Sequence, residues 1–284
     1  MAAPPRRACI GQQRETSMSG ISKLFCASAA IAVGFLALSW APGARAEIDQ
    51  PLRIGNECDF PPFSKRDPSG ECSGFDIDVI NFVCDNMGIQ CEIVVQEWSG
   101  IIPGLMAGKY RAIISSMDIN EERKKKLLFT KPYYHAKYSF VAKKGALSSV
   151  EPADLAGKTV CMFKNSSPND WLKENYPDTK INFYDGAEDI KFDLIADRCQ
   201  AWLETTPSIY GTILDSPEGD QFELVGPQFD DPCCFGQGVG MSMKLDDTEL
   251  AERLNQAIDA MYETGAFDEI QSRYFPESID LRAQ

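Results

Sequence analysis

Histidine is nearly absent from the chain, and no pair of cysteines has the spacing typical of a metal site. The single histidine is His135, and no two cysteines stand in a Cys-x-x-Cys pattern. Structural zinc sites use four cysteine or histidine ligands, usually with two of them closely spaced. We therefore expect no metal site and no cofactor. Internal repeats and low-complexity tracts are also missing after residue 46.

Basic residues are scarce relative to acidic ones. The chain has 28 lysines and arginines against 42 aspartates and glutamates, a formal net charge of −14. Residues 1–46 contain five of the basic residues and one of the acidic residues, so the chain without them has a net charge of −18. Nucleic acids and anionic membranes attract basic surfaces, so this balance argues against both as partners.

Only one long apolar run is present, and it lies near the N-terminus. After Lys23 comes LFCASAAIAVGFLALSWAP, followed by Ala44-Arg45-Ala46, which has the small-x-small pattern of a cleavage site. Serine and glycine interrupt the run, which favours a removed export signal over a permanent membrane helix. We interpret residues 1–46 as the signal peptide region and expect the mature chain to begin at Glu47. Either Met1 or Met18 could be the start.

The cysteine count is typical of an exported protein with disulfides. The chain has 10 cysteines, of which Cys9 and Cys26 precede residue 47, so eight remain in the mature chain. An even number of cysteines behind an export signal predicts disulfides formed in an oxidising compartment. Eight cysteines allow 105 pairings, so their spacing alone does not determine which ones pair.

Strand and helix patterns alternate after residue 50. The predicted strands are LRIG, CEIVV, AIISS, KTVCMF, KINFY and CQAWLE. The predicted helices are FDIDVINFVCDNMG, SGIIPGLMAG, NDWLKENY, AEDIKFDLIADR, DDTELAERLNQAIDAMYETG and AFDEIQSRYF. Such alternation predicts an α/β protein with largely parallel sheets covered by helices on both faces. The pattern breaks near residues 137–150 and then resumes, which favours two α/β lobes over one long sheet.

The segment AIISSMDINEERKKK raises a functional question. Ligands of parallel sheets bind at the carboxyl ends of the strands, and AIISS delivers Ser115 and Ser116 to such an end. Asn120 is a predicted cap of the helical turn EERKKK, which carries Arg123. From these residues alone, Arg123 is either a solvated surface residue beside three lysines or a ligand contact.

Five ordered segments of the chain carry a resemblance to a known family. They are IGNECDFPPF, GFDIDVINFVCDNMGIQCE, WSGIIPGLMAGKY, AIISSMDINEERKKKLLFTKPYY and FGQGVGMSMKLDDTELAERLNQAI. Together they resemble the periplasmic amino-acid-binding proteins of ABC importers, and most closely the binders of lysine, arginine, ornithine, histidine and opines. The resemblance covers residues 50–276.

The resemblance implies a type II periplasmic-binding-protein (Venus flytrap) fold with two lobes. Lobe 1 is expected to comprise residues 47–136 and 236–284, and lobe 2 residues 137–235. Two crossover strands, near 137–142 and 232–240, are expected to form the hinge. It further implies a monomeric periplasmic protein, not an enzyme, that captures an amino acid or a derivative and delivers it to an ABC-transporter permease.

The resemblance also assigns ligand-binding positions in lobe 1. Arg123 matches an arginine that binds the ligand α-carboxylate, for which the planar guanidinium is well suited. Ser115 and Ser116 match hydroxyl and backbone contacts. Asp118 is a departure, because the family usually has serine, threonine or glycine there. Its side chain is expected to turn outward or to meet a cationic part of the ligand.

Further positions surround the ligand side chain and enter from lobe 2. An acidic residue and aromatic residues are expected around the ligand side chain, with core packing as the alternative for Phe60 and Trp98. The loop CMFKNSSPND is expected to lead into a helix whose N-terminus faces the ligand. The residues assigned in this way are Glu57, Phe60, Trp98, Phe163, Ser166 and Ser167.

Thr205 is the most important departure from the family pattern. The family has an aspartate at this position that binds the ligand α-ammonium. Glu204 precedes Thr205, but neighbouring residues on a strand face opposite ways, so Glu204 is not expected to replace the aspartate directly. Either Asp118, Glu57 or a shifted Glu204 takes this role, or the ligand is an opine-like compound with a substituted nitrogen.

Within this fold the resemblance suggests three disulfides. Cys84 and Cys91 match a pair that is bonded in many members, and Cys58 and Cys72 flank a segment expected to form a hairpin. Cys161 and Cys199 are expected on neighbouring strands. Cys233 and Cys234 would then be a vicinal disulfide or a free pair, and crossed pairing among these last four is the alternative.

Two other functions are compatible with the same fold. The first is an enzyme like the cyclohexadienyl dehydratases, which needs a positioned acid and base in the cleft. The second is a periplasmic protein that presents its ligand to a membrane sensor. Turnover of prephenate or arogenate would identify the first, and a pull-down against a permease or a sensor would separate the second from transport.

Overall fold

The computed structural model describes residues 48, 50–232 and 234–280. Its strands are β1 (Leu52–Asn56), β2 (Asp59–Phe60), β3 (Ser64–Arg66), β4 (Cys72–Ser73), β5 (Cys91–Val95), β6 (Ala112–Ile113), β7 (Leu127–Phe129), β8 (Tyr138–Lys143), β9 (Thr159–Phe163), β10 (Lys180–Tyr184), β11 (Ala201–Thr205), β12 (Phe222–Phe229) and β13 (Ser242–Lys244). The signal peptide predicted at residues 1–46 lies outside the described residues.

The helices alternate with these strands as the sequence predicts. They are α1 (Phe75–Met87), α2 (Trp98–Met106), α3 (Glu121–Lys124), α4 (Pro152–Leu155), α5 (Pro168–Asn175), α6 (Ala187–Ile195), α7 (Thr206–Ile209), α8 (Thr248–Glu263) and α9 (Ala266–Gln271), with a π-helical turn at Tyr210–Leu214 and a 3-10 turn at Gly219–Gln221. Within the described ranges, none of them has the length and apolar character needed to cross a bilayer.

Ten of the strands form two five-stranded sheets, which define two lobes, and β2, β3 and β4 form a smaller sheet of three strands. The sheet of lobe 1 has the order β5-β1-β6-β13-β7, and the sheet of lobe 2 has the order β10-β9-β11-β8-β12. Lobe 1 therefore takes its strands from residues 52–129 and 242–244, and lobe 2 from residues 138–229. The predicted two-lobed α/β fold is confirmed, while the lobe boundaries predicted at 136/137 and 235/236 stay predictions.

The sheets are less parallel than the strand and helix alternation predicts. In lobe 1, β1 pairs in parallel with β5 and β6, but β13 runs antiparallel to both of its neighbours. In lobe 2, β9 has parallel neighbours and β8 has antiparallel ones. Strands β8 and β13 are the first strands after the chain passes from one lobe to the other. Each of them therefore runs opposite to its neighbours in the sheet.

Local sequence signals place the main helices of lobe 1. Helix α1 ends where Gly88 adopts the left-handed conformation with φ 66°, which glycine tolerates without steric cost. In α8, the residues at helical spacing are fully buried: Leu250, Leu254, Ile258 and Met261. Helices α1 and α8 both contribute to the same core cluster, so the C-terminal part of the chain completes the core of lobe 1.

Three disulfides link the described cysteines in the pairs that the resemblance suggests. They join Cys58 to Cys72, Cys84 to Cys91 and Cys161 to Cys199, with Cα–Cα distances of 5.7, 6.1 and 5.7 Å. These distances lie in the usual range for disulfides. Cys233 lies outside the described residues, so the pairing of Cys233 and Cys234 stays a prediction.

Removal of a single disulfide is expected to lower the free energy of unfolding by an amount that increases with the length of the loop that the disulfide closes. The Cys84–Cys91 bond spans 7 residues and the Cys161–Cys199 bond spans 38. Loop-closure entropy of the unfolded chain predicts losses of about 2.5 and about 4 kcal/mol in the free energy of unfolding for the paired Cys→Ser variants. Urea unfolding under non-reducing conditions measures both. The reverse order would show that native-state strain outweighs the entropy of the unfolded chain.

Candidate functional site

A cavity lies between the two lobes, where strands of both sheets end. Its free space is about 410 Å³, including the part open to solvent. The lining residues are Glu57, Phe60, Trp98, Ser115, Ser116, Asp118, Arg123, Tyr138, Phe163, Ser166, Ser167, Glu204 and Thr205. All the residues predicted as ligand contacts come together here, and their roles stay predictions. Tyr138 was not predicted from the sequence.

Arg123 is a buried cavity residue and not a solvated surface residue. The side-chain oxygen of Asn120 accepts the Arg123 backbone N–H at 2.9 Å, as the predicted cap requires. The Arg123 side chain is 9% exposed, and its guanidinium lies over the Trp98 ring, 5.3 Å from the ring centroid. Its Nη1 donates to the Asp118 carbonyl and its Nη2 to the Asn165 carbonyl, both at 3.0 Å. Because Asn165 belongs to lobe 2, Arg123 bridges the lobes.

Three carboxyl groups share the cavity with Arg123. Burial raises the pKa of Glu57 well above its usual value, although its hydrogen bond with Ser115 opposes the shift. Burial also raises the pKa of Asp118, against the attraction of Arg123. Burial raises the pKa of Glu204 to about 8. Each shift has desolvation as its main cause, so each carboxylate lacks enough positive charge nearby to favour its ionised form.

The position of Glu204 corrects an expectation from strand geometry. Glu204 and Thr205 both line the cavity, although neighbouring residues within a strand face opposite sides. Strand β11 ends at Thr205, and the Glu204 Oε1 accepts the Thr205 backbone N–H at 2.7 Å. The side chain therefore folds around the strand end. The hydroxyl of Thr205 is buried and has no hydrogen-bond partner within the described part of the chain.

The two serines at the end of β6 differ in what they offer to the cavity. Ser115 Oγ accepts the Glu57 backbone N–H at 3.1 Å. Ser116 has a left-handed backbone with φ 47°, and its hydroxyl donates to the buried carboxylate of Asp76 at 2.9 Å. The Ser116 hydroxyl is thus committed within lobe 1, so its remaining contribution to a ligand comes from the backbone.

Asp118 does not turn outward, because it lines the cavity. Its Oδ2 accepts the Tyr138 hydroxyl at 2.8 Å and lies 3.8 Å from the Arg123 Nη1. The two expectations for this side chain were an outward orientation and a contact with a cationic group of the ligand. The first is wrong, and the location is compatible with the second.

Contacts between the lobes close the cavity from the lobe 2 side. The indole Nε1 of Trp98 donates to the Lys164 carbonyl at 2.9 Å, and the Asn120 Nδ2 donates to the Ser167 Oγ at 3.3 Å. The ring of Phe163 meets the ring of Phe60 edge to face, with 5.8 Å between centroids. Ser166 and Ser167 directly precede α5. The structure is therefore that of closed lobes.

The charges in the cavity define the solutes that it can hold. One guanidinium suits a carboxylate, and three carboxyl groups with raised pKa suit positive charge. A zwitterion with a second cationic group satisfies both requirements, since it carries one carboxylate and two cations. A solute with several carboxylates would add negative charge beside carboxyl groups that are already poorly compensated.

Comparisons with known proteins agree with this geometry. The model of the family "bacterial extracellular solute-binding proteins, family 3" matches residues 52–277. The L-arginine-binding protein of Pseudomonas aeruginosa is 37% identical over 245 residues, which cover 86% of this chain and 95% of that protein.

Two solved structures have similar folds. One is a periplasmic binding protein of Salmonella typhimurium described by its high arginine specificity, with a TM-score of 0.74 and 27% identity over 79% of this chain and 98% of that chain. The other is an ancestral amino-acid-binding protein described as a precursor of cyclohexadienyl dehydratase, with a TM-score of 0.69 and 26% identity over 79% of this chain and 94% of that one.

Proposed function

Because this chain belongs to the bacterial extracellular solute-binding proteins of family 3, we propose that it captures a basic amino acid between its lobes in the periplasm and delivers it to an ABC-transporter permease. The observation that carries the proposal is the combination of one buried guanidinium with three desolvated carboxyl groups in one cavity between the lobes. The charge of this set complements a ligand with one carboxylate and two cationic groups.

The ligand α-carboxylate binds Arg123. A guanidinium has five N–H donors, and two of them are used by the carbonyls of Asp118 and Asn165. The remaining donors form a fork for the two oxygens of a carboxylate, which is the strongest hydrogen-bonding arrangement available to these groups. Trp98 keeps the guanidinium plane in place from one face.

The two cationic groups of the ligand bind separate carboxylates. Asp118 and Glu204 lie close enough to each other and to Arg123 for mutual electrostatic effects, so they receive the α-ammonium beside the bound carboxylate. Glu57 lies on the segment that also carries Phe60, so it receives the distal cation while the ring packs on the ligand side chain. Glu204 thereby takes the role that a residue at Thr205 has in the family pattern.

A thermal-shift and calorimetry panel tests the ligand class. L-arginine, L-lysine, L-ornithine and L-histidine are compared with octopine, nopaline and L-glutamate on the mature chain. At about 100 times its dissociation constant, a true ligand should stabilise the folded protein by about 2.7 kcal/mol. We expect this from at least one basic amino acid and not from L-glutamate. Stabilisation confined to the two opines would refute the basic amino acid as ligand.

The partner of the closed, loaded protein is a membrane permease, and we propose that the protein reaches it as a monomer. This rests on family membership and on the closed arrangement of the lobes around the cavity. Uptake of labelled L-arginine by cells that lack the protein, with and without its restoration, checks delivery. Pull-down of a sensor instead of a permease would favour the ligand-presenting alternative.

An enzymatic role is the second candidate function, because burial in the closed cavity raises the pKa of the Glu204 carboxyl to about 8. Such a group holds a proton at neutral pH and could act as a general acid. We propose that it serves binding instead, because three carboxyl groups share the cavity with one guanidinium, and a carboxylate-rich substrate such as prephenate would further disfavour their ionised forms. Turnover of prephenate or arogenate by the purified protein would refute this proposal.

A further inference from the structure

A disulfide-closed segment of lobe 1 crosses to lobe 2 beside the cavity. This segment, Cys58–Cys72, is joined at its ends by a disulfide and contains β2 and β3, which pair antiparallel. Phe63 anchors it in the core of lobe 1, where the side chain is fully buried, and stacks on Phe60 with 5.3 Å between ring centroids. The disulfide and the strand pair thus hold the shape of the segment, and the buried ring of Phe63 holds the segment to lobe 1.

Gly211 of lobe 2 lies against the backbone of this segment. A Cβ added at Gly211 would lie 2.6 Å from the Pro62 nitrogen, 2.7 Å from the Pro62 Cδ and 2.8 Å from the Pro61 carbonyl carbon. All three are backbone or ring atoms, which cannot rotate away as a flexible side chain would. The backbone of Gly211 does not have a positive φ. Glycine is therefore required here by the close approach of the lobes and not by its conformation.

A second close approach occurs at the start of α6. The Asp59 carboxylate accepts a hydrogen bond from the Ala187 backbone N–H, which is one of the unpaired donors at a helix N-terminus. A Cβ added at Gly186 would lie 2.5 Å from the Asp59 Oδ2. The negative charges of Glu188 and Asp189 disfavour the ionised form of Asp59. The hydrogen bond from Ala187 to Asp59 is therefore weaker than it would be at a helix N-terminus without these two acidic residues.

We propose that the segment Cys58–Cys72 is a latch that stabilises the closed lobes by seating on the side-chain-free surface at Gly186 and Gly211. The same segment carries Phe60, which lines the cavity, so a ligand that packs on Phe60 fixes the latch in its seated position. The inference rests on the proposed function only in assuming that ligand capture requires closure. According to this proposal, Gly186 and Gly211, which lie outside the cavity lining, also influence the affinity for the ligand.

Substitution of Gly211 with alanine separates the latch from ordinary stability. Alanine is normally neutral or stabilising at a glycine whose backbone it can adopt, so Gly211→Ala should leave the melting temperature of the ligand-free protein unchanged or higher. Closure, however, must push the added methyl into the Pro61-Pro62 backbone. We expect the dissociation constant for L-arginine to rise about tenfold or more, with a faster dissociation rate.

Two matched variants control this experiment. Gly100→Ala also places a methyl in a helix, but that methyl would meet the amide end of the flexible Gln96 side chain, so the affinity should stay within about twofold of the wild type. Asp59→Asn should weaken binding less than Gly211→Ala does, because its bond is opposed by Glu188 and Asp189. Equal affinities of wild type and Gly211→Ala would overturn the latch.

Failure of the proposed function is distinguishable from failure of the latch. Absence of heat when L-arginine is added to the wild type would refute the proposed ligand class. The latch is then tested by measuring the distance between the lobes in ligand-free protein that carries a non-cysteine spin label on each lobe. A closed fraction in the wild type that is lost in Gly211→Ala supports the latch, and identical distance distributions in the two proteins overturn it.

Discussion

Arg123→Ala is expected to weaken the binding of L-arginine by about three orders of magnitude. Truncation of one partner of a buried, hydrogen-bonded charge pair costs about 2–5 kcal/mol, and the Arg123 side chain is 9% exposed. The upper part of that range applies because the loss has two components. The ligand carboxylate loses its bidentate partner, and Asp118 and Glu204 lose the positive charge that lowers their pKa, so they hold more tightly the protons that binding of the α-ammonium must release.

The fold is expected to survive this substitution. Burial lowers the pKa of Arg123, which means that the folded protein bears a cost for holding the charge in the cavity. Asp118, which lies 3.8 Å from the guanidinium, can take up a proton when the charge is removed, since its pKa is already raised by burial. The melting temperature should therefore change by no more than a few degrees.

Two further variants identify what Arg123 contributes. Arg123→Lys keeps the charge but loses the planar fork, so its affinity should lie between those of the wild type and the alanine variant. Lys124→Ala removes a neighbouring exposed cation that pairs with Glu121 and should bind L-arginine like the wild type. Calorimetry of all four proteins provides the test, and an unchanged affinity of Arg123→Ala would remove Arg123 from the site.

The affinity for L-arginine is expected to rise with pH between 6 and 8 and to depend on Glu204. Burial raises the pKa of this carboxyl to about 8, so the ligand-free protein holds a proton there at pH 6. The α-ammonium favours the ionised form, and binding must therefore release the proton. The association constant should increase by up to about tenfold per pH unit and level off above pH 8.

Glu204→Gln tests this assignment. The amide cannot ionise, so the variant should bind L-arginine more weakly at pH 8 and show a flatter pH profile. Asp118 and Glu57 also have raised pKa values and contribute in the same direction, so some slope remains. Calorimetry in buffers of different ionisation enthalpy counts the released protons. A wild-type profile as flat as that of the variant would assign the ammonium to another group.

The stability of the ligand-free protein should depend on pH with the opposite sign. Because the pKa of Glu204 is raised from 4.5 to about 8 in the folded state, its favourable contribution to folding is full below pH 4.5. That contribution is lost as the pH rises through about 8. Urea unfolding at pH 5 and pH 8.5 should therefore show a larger decrease for the wild type than for Glu204→Gln.

Several features of the fold and site were predictable because local rules govern them. Gly88 ends α1 through its own conformation, and Asn120 caps the turn that presents Arg123. The helical spacing of apolar residues predicted α8, and these residues are buried in the structure. The prediction that Arg123 faces the ligand needed the family resemblance as well, because three lysines follow the residue in the sequence and give it the pattern of a charged surface.

Other features depend on contacts that no local rule contains. The alternation of side chains along a strand did not predict that Glu204 and Thr205 both line the cavity, because the rule holds inside a strand and β11 ends at Thr205. Tyr138 has the pattern of an ordinary buried strand residue until Asp118 of the other lobe accepts its hydroxyl. The approach of Gly211 to Pro62 joins residues far apart in the chain, and only the closed structure shows why glycine is needed.

The placement of β13 has a consequence for the order in which the molecule can be built. Lobe 2 takes its strands from one continuous stretch, residues 138–229, whereas the sheet of lobe 1 needs β13 between β6 and β7. During synthesis the chain emerges from its N-terminus, so lobe 2 has all its strands available while lobe 1 still lacks an internal one. Until β13 is available, the sheet of lobe 1 lacks the strand between β6 and β7. Contacts between residues distant in sequence also form slowly. Premature termination before residue 242 would therefore leave a finished second lobe attached to a first lobe that cannot close its sheet.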